Sequence, residues 1–166
     1  MADAPSLRRR APGKINLYLR VVGRRPDGYH LLDSLVVFVD LADELSFAPA
    51  QTIQCRTSGV FASSLGAEEN LATRAAQLLL ANAPPLEAAC AYPGASINIE
   101  KNIPVAAGLG GGSADAAATL DALNELWRLG LDEPALAALA MQLGADVPMC
   151  RFGRPALVSG IGETIR

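Results

Sequence analysis

Between residues 104 and 115 the chain reads Pro-Val-Ala-Ala-Gly-Leu-Gly-Gly-Gly-Ser-Ala-Asp, and four of the five positions from Gly108 to Gly112 are glycine. Without Cβ atoms, backbone amides in such a loop can approach an oxyanion closely. The alternating segment Ser96–Glu100 (SINIE) lies just upstream and reads as a strand. Downstream, Ala116, Leu120, Leu123 and Trp127 form an apolar stripe at helical spacing. A strand, a glycine loop and a helix start in that order gather unpaired N–H groups and the positive end of a helix dipole at one spot. That is an anion site on physical grounds, although a tight strand-to-helix connection also explains a glycine-rich turn. Neither common phosphate loop fits: no lysine follows the last glycine, and the sixth position from Gly108 is Ser113 where G-x-G-x-x-G requires glycine. Ser113 is expected to cap the helix and Gly130 to stop it.

Upstream of the loop, Ile15, Leu17, Leu19 and Val21 alternate with Asn16, Tyr18 and Arg20. This period of two predicts a half-buried strand from Lys14 to Val22. Pro26-Asp27-Gly28 makes a turn, and a second β run follows from His30 to about Asp40. Shorter strands are expected at Glu44–Phe47 and Thr52–Cys55. Asn70 caps a helix striped by Leu71, Ala75, Leu78 and Leu79, which Pro84-Pro85 bars from continuing. Asp132 caps a third helix, with Pro134 in its first turn, Leu136, Leu139, Ala140 and Leu143 facing inward, and Gly144 at its end. The remainder reads as a loop and then strands around Cys150–Phe152 and Ala156–Ser159. Strands first, then strand and helices mixed, favour an α+β fold over a doubly wound sheet.

Composition narrows the function classes. The chain has 166 residues, enough for one domain with a real core, and a net charge of −3 that argues against a long nucleic-acid contact. The single basic run, Arg8-Arg9-Arg10, reads as a solvated strand edge. Cys55, Cys90 and Cys150 are widely spaced and accompanied by one histidine, so no Cys/His zinc site assembles. Unpaired cysteines suit a reducing cytoplasm. Met1 to Arg10 lacks the apolar segment of a secretion signal, and no stretch nears the roughly 18 apolar residues of a membrane span. A soluble, cytoplasmic protein is expected. Of the 14 basic residues only Lys14 and Lys101 are lysines, which fits sites that need a compact ammonium as well as it fits compositional drift.

Three blocks carry a specific resemblance. PVAAGLGGGSADAAATL resembles the phosphate-binding motif of the GHMP kinases, a superfamily that includes galactokinase and the homoserine, mevalonate and phosphomevalonate kinases. APGKINLYLRVVGRRPDGYHLLDSL, Ala11 to Leu35, resembles the opening of that superfamily's diphosphocytidyl-methylerythritol kinases. LGADVPMCRFGRPALVSGIGE, Leu143 to Glu163, matches the third block of the same enzymes in order and spacing. The resemblance implies a ribosomal-protein-like two-layer β/α sandwich, a mixed sheet with helices packed on one face. It implies that residues 1–166 are the N-terminal, ATP-binding domain, without the C-terminal domain carried by chains about twice this length. The implied reaction is ATP-dependent phosphorylation of the 2-hydroxyl of 4-diphosphocytidyl-2-C-methyl-D-erythritol, a small-molecule substrate, in non-mevalonate isoprenoid synthesis. ATP is expected with Mg2+; the direct metal ligands are left open, with Ser113 a candidate contact to phosphate or magnesium. Another GHMP small-molecule kinase is one competing reading; the Gly28-Tyr29-His30 block argues against it. A non-catalytic RNA-binding domain of similar fold is another, and the acidic balance argues against that.

The same resemblance implies roles residue by residue. Asp146 is the expected base, against its reading as a turn aspartate bonding its own backbone. Lys14 is the expected catalytic lysine, able to hold Asp146 ionised, against a surface strand-end lysine. Asn16, two residues on, shares its strand face and is expected at the substrate. Tyr29 and His30 are expected at the cytosine, and Val36 stands where some relatives carry a second stacking aromatic, which leaves stacking one-sided. Asn70, Leu71 and Lys101 are expected near the adenine. The run Pro104, Val105, Ala106, Ala107, Gly108, Leu109, Gly110, Gly111, Gly112, Ser113 and Ala114 is expected around the phosphates. Ala106 and Ala107 replace glycines found in relatives, a tolerable change if neither needs positive φ. Asp115, in the first helical turn, is expected to serve structure through the helix dipole.

Overall fold

The computed structural model describes residues 6–64, 70–83 and 93–166. Six strands form one mixed sheet: β1 (Leu7–Arg24), β2 (His30–Ala50), β3 (Gln54–Ser58), β4 (Gly94–Glu100), β5 (Ala156–Gly160) and β6 (Thr164–Ile165). The helices are α1 (Leu71–Asn82), α2 (Gly111–Leu126), α3 (Glu133–Leu143) and α4 (Val147–Phe152). The order is β3-β4-β2-β5-β6, with β1 also on β2. Only β3 and β4 run parallel; the other pairs are antiparallel. The expected α+β architecture therefore holds.

β2 organises the sheet. One edge pairs with β1 along most of its length. The other edge meets β5 over Leu32–Val36 and β4 over Glu44–Ala50. The two β runs anticipated from His30 and at Glu44–Phe47 are thus one strand, and the third begins at Gln54 rather than Thr52. Leu45, Phe47, Ile97 and Ile99 meet Ala75, Leu79, Leu120 and Leu123 in one buried cluster between sheet and helices. Burying such side chains contributes about 1.5–3 kcal/mol each.

β1 corrects one expectation. Its apolar alternation does not mark a half-buried face: Ile15, Leu17, Leu19 and Val21 are 36%, 61%, 51% and 59% exposed. β1 has β2 on one edge and no strand on the other among the described residues. Its register also slips between Asn16 and Tyr18 and between Val21 and Gly23, which leaves Leu17 and Val22 as bulged, unpaired residues. A bulge switches which side chains share a face. Asn16 therefore faces the same cleft as Leu19, not Tyr18.

Two helix ends behave as anticipated. The Asn70 carboxamide accepts from the Ala72 amide at 2.9 Å, and Asp132 accepts from the Ala135 amide at 3.0 Å. Pro84-Pro85 and Cys90 lie outside the described residues. The stop of α2 is not Gly130. Arg128 takes the left-handed conformation (φ 53), its amide reaching Glu125 O and the next one Asn124 O, which is a Schellman closure. Cys150–Phe152 is likewise not a strand but the end of α4. Pro148 occupies the first turn, where its missing N–H costs nothing, and Gly153 closes the helix with φ 63.

Gly94 marks the tightest backbone approach. A Cβ there would sit 2.3–2.6 Å from the Thr52 backbone, while the Trp127 indole N–H donates to the Gly94 carbonyl at 3.2 Å. Gly94→Ala should cost at least the ~1–3 kcal/mol of an overpacked core, read as a lower urea midpoint at unchanged slope. An unchanged midpoint would show that this β4–α2 corner is not rigid.

Candidate active site

The glycine loop and α2 build an open cradle. Gly110 precedes the helix in the left-handed region (φ 68, ψ 22), and no side chain caps it. Its carbonyl accepts the first helical bond, from the Ala114 amide at 2.9 Å. The amides of Gly111, Gly112 and Ser113 are therefore left without intrahelical acceptors. Ser113 sits inside the first turn, so its expected role as cap is corrected: the left-handed Gly110 starts the helix earlier. The glycines do different jobs. Gly108 and Gly110 have positive φ, and a Cβ on Gly111 would press on the Ile103 side chain at 3.1 Å. A Cβ on Gly108 or Gly112 would meet nothing within 4 Å, so the space beside them is free for a ligand. Ala106 also adopts positive φ (59), whereas Ala107 does not. The condition for replacing glycine is thus met at Ala107 and broken at Ala106, at a cost of roughly 1–2 kcal/mol.

The loop borders a cavity of about 730 Å³ lined from Pro104 through Ser113 and closed opposite by Asn70, Leu71 and Thr57. That size lies within the ~300–1,000 Å³ of small-molecule sites. Ala114, expected with the loop, is instead buried in the core. It points away because it begins the inward stripe of α2.

The loop is fastened to the predicted catalytic pair. The Lys14 amide donates to Leu109 O at 2.8 Å, and the Lys14 stem fills the space a Gly110 Cβ would take, with Cγ at 2.9 Å. Lys14 Nζ lies 3.1 Å from Asp146 Oδ2, the lysine side chain 9% exposed and the aspartate 50%. Asp146 precedes α4 yet makes no side-chain cap bond. Its carboxylate is therefore spent on the ammonium and the solvent-open side, not on its own backbone. Asn16 Oδ1 accepts from Lys14 Nζ at 2.6 Å. A cleft of about 40 Å³ beside this group is lined by Asn16, Ser34, Val36 and Asp146.

Lys101 lies at the floor of the larger cavity, which it lines together with Asp115. Its ammonium is buried between Asp115, at 2.7 Å, and Asp43. Burial alone would lower its pKa, but the carboxylates of Asp115 and Asp43 outweigh that and raise it. Asp115 therefore serves structure as expected, through an ion pair in addition to the helix dipole. Its own pKa is pushed up to about 7, chiefly by burial and against the pull of Lys101. Its Oδ1 is buried without a hydrogen-bond partner. Sequence reasoning missed Asp43, whose Oδ1 accepts from the amides of Asn102 and Ile103 at 2.6 and 2.8 Å. No sequence signal singles it out: Val-Asp-Leu-Ala-Asp-Glu-Leu carries three acidic residues among four apolar ones.

Tyr29 and His30 are not gathered with these groups. Both are exposed at the outer end of the β1–β2 hairpin, where His30 pairs with Arg24, ten residues along β1 from Lys14. Val36 is buried with Met149, Ala156 and Val158.

With this geometry in view, comparison with known proteins gives the class. The family described as GHMP kinases N terminal domain matches residues 70–154, and the chain belongs to that family. More particularly, it is 52% identical to the 4-diphosphocytidyl-2-C-methyl-D-erythritol kinase of Rhizobium johnstonii (strain DSM 114642 / LMG 32736 / 3841), with 99% of this chain and 53% of that protein covered. It is 48% identical to the enzyme of the same name from Paramagnetospirillum magneticum (strain ATCC 700264 / AMB-1), over 93% of this chain and 52% of that one. A crystal structure of 4-(cytidine 5'-diphospho)-2C-methyl-D-erythritol kinase superposes with a TM-score of 0.75 at 43% identity, covering 96% of this chain and 54% of that one. The mevalonate kinase of Methanococcus jannaschii, at 15% identity and TM-score 0.65, shares the fold over 99% of this chain and 56% of its own. The chain spans about half the length of the curated relatives it matches.

The raised pKa of Asp115 has a sign that can be tested. Native Asp115 holds a proton up to about pH 7, while the unfolded chain releases it near pH 4. Its contribution to stability is therefore full at low pH and drains as pH rises through that window. Asp115→Asn, which cannot ionise, should gain on the unsubstituted chain by up to ~1.4 kcal/mol per pH unit at the steepest point. Urea unfolding at pH 5 and pH 8 measures this, and parallel pH dependences would refute it.

Proposed function

We propose that this chain is the nucleotide-gripping half of an ATP-dependent kinase that phosphorylates the 2-hydroxyl of 4-diphosphocytidyl-2-C-methyl-D-erythritol, a step of non-mevalonate isoprenoid synthesis. One observation carries the reading: the Lys14–Asp146 ion pair is fastened directly to the glycine loop. The identity to kinases of that name over nearly the whole chain supports the substrate.

In this reading the free amides of Gly111, Gly112 and Ser113, at the electropositive end of α2, take the triphosphate. Asn70 and Leu71 face the loop across the cavity and border the base. Mg2+ would accompany the nucleotide and neutralise phosphate charge; the described residues contain no group of three His, Cys, Asp or Glu that would hold it alone. Asp146 accepts the proton of the 2-hydroxyl as that oxygen attacks the γ-phosphorus and ADP leaves. Lys14, ion-paired with Asp146, offsets charge on the attacking oxygen. Asn16 lines the small cleft where the alcohol would enter, and Tyr29 and His30 would meet the cytosine only if substrate or a further segment reaches the hairpin tip.

A small-molecule partner and a cytoplasmic setting belong to the same proposal. Two of the three N-terminal arginines are already spent, Arg9 on Glu125 and Arg10 on Asp40 and Glu44. Cys55 and Cys150 are unpaired, and no helix among the described residues is long and apolar enough to cross a membrane.

Two substitutions test the proposal. In the protein carried to the length of its relatives, ADP release should require the cytidine substrate, and Asp146→Asn should cut kcat by ~10²–10⁴ with little change in ATP affinity. A near-normal rate would remove Asp146 as the base. Gly112→Ala replaces a helical glycine and should stabilise the free chain by up to ~1 kcal/mol. Its methyl would occupy the space beside the phosphate amides, so ATP affinity by calorimetry should fall about tenfold or more, worth ~1.4 kcal/mol. Unchanged affinity would place the triphosphate elsewhere.

A further inference from the structure

Ser34, on β2, is 1% exposed and belongs to no role argued above. Its hydroxyl donates to the Tyr18 carbonyl at 2.7 Å. A serine hydroxyl has one proton, so toward Asn16 the same oxygen can only accept. It does so, from Asn16 Nδ2 at 2.7 Å. The carboxamide is thereby oriented: nitrogen toward Ser34, and Oδ1 toward Lys14 Nζ at 2.6 Å. The flipped amide would set NH2 against an ammonium and oxygen against oxygen, leaving donors and acceptors mismatched. The bulge at Leu17 makes the arrangement possible, because it brings the Asn16 side chain and the Tyr18 carbonyl to one side of Ser34.

We propose that Ser34 is a positioning residue that aims Lys14 through Asn16. This inference rests on Lys14 and Asp146 being the reacting pair. Lysine has a long, flexible stem, and the ammonium can be shared correctly only if its second partner presents an oxygen. With Ser34 committed to Tyr18, Asn16 is locked as an acceptor, and Lys14 Nζ is held between Asn16 Oδ1 and Asp146 Oδ2, at 2.6 and 3.1 Å. The burial of Ser34 matters as well: water does not readily take over a buried hydroxyl's bonds, so the amide loses its lock when the hydroxyl is removed.

The chain offers a direct readout, since its only lysines are Lys14 and Lys101. Lysine-selective 13C/15N labelling gives two side-chain signals, with Lys101, clamped by Asp43 and Asp115, as internal control. Ser34→Ala should move the Lys14 signal by more than its linewidth and leave Lys101 in place. Asn16→Ala should also move it, and adding Ser34→Ala to Asn16→Ala should do nothing more. Ser34→Cys keeps the volume while weakening both hydrogen bonds, and should shift Lys14 in the same direction if the alanine variant does not fold. A Lys14 signal unmoved in the folded Ser34 variants would overturn the proposal, as would an undiminished Ser34→Ala shift once Asn16 is gone. Turnover is not needed for this measurement, so failure of the kinase reading would appear separately, in the Asp146→Asn assay.

Discussion

The ammonium of Lys101 is the bolt of this domain. It sits buried between Asp115 on α2 and Asp43 on β2, at the end of β4. Asp43 also fixes the two amides with which the chain leaves β4, those of Asn102 and Ile103. Asp115 lies in the first turn beyond the glycine loop. Both ends of the loop are therefore referred to one buried charge. Removing Lys101 would leave Asp43 buried without its counter-charge, which typically costs ~3–5 kcal/mol. A loop rich in glycine has much conformational freedom to lose, and this clamp confines it before any ligand arrives.

The second constraint joins that loop to the Lys14–Asp146 ion pair. Lys14 touches the loop with its backbone and its stem, and touches Asp146 and Asn16 with its ammonium. Preorganisation of this kind is how a site for phosphoryl transfer works with little covalent chemistry of its own. A shift of the loop would be felt at Asp146 through one side chain. Cys150, one turn further along α4, has no part in this: burial pushes its thiol up to about 12, and it serves as packing.

Much of this was legible in the residues. Glycines crowded before an apolar helical stripe announced the loop and helix start that border the larger cavity, and Asn70 and Asp132 announced their helices, because capping is local chemistry. Lys14 and Asp146 lie 132 residues apart in the chain, and only the likeness of three blocks to one kinase family suggested that they meet. What escaped was decided by neighbours. The apolar alternation of β1 is real, but with the bulge at Leu17, and with no strand on its outer edge among the described residues, that face is open. Cys150–Phe152 had β-favouring residues, yet Pro148 and Gly153 bracket a helix. Ser113 is a good cap by type, and Gly110 pre-empted it by turning left-handed. Asp43 and Ser34 gave no sign, since a buried polar residue in a strand is defined by what lies across from it.

β2 carries both halves of the machinery. Ser34 and Val36 border the small cleft on one stretch, and Asp43 anchors the loop on another. Side chains along a strand alternate between faces, and here an irregularity against β1, where Phe38 pairs with Lys14 and Ala42 with Pro12, already sets the spacing between the two groups. Gaining or losing one residue between Val36 and Asp43 would turn one group to the opposite side of the sheet while leaving the other in place. Sequence drift in this stretch is thus bound in count as well as at the packed positions Phe38 and Ala42.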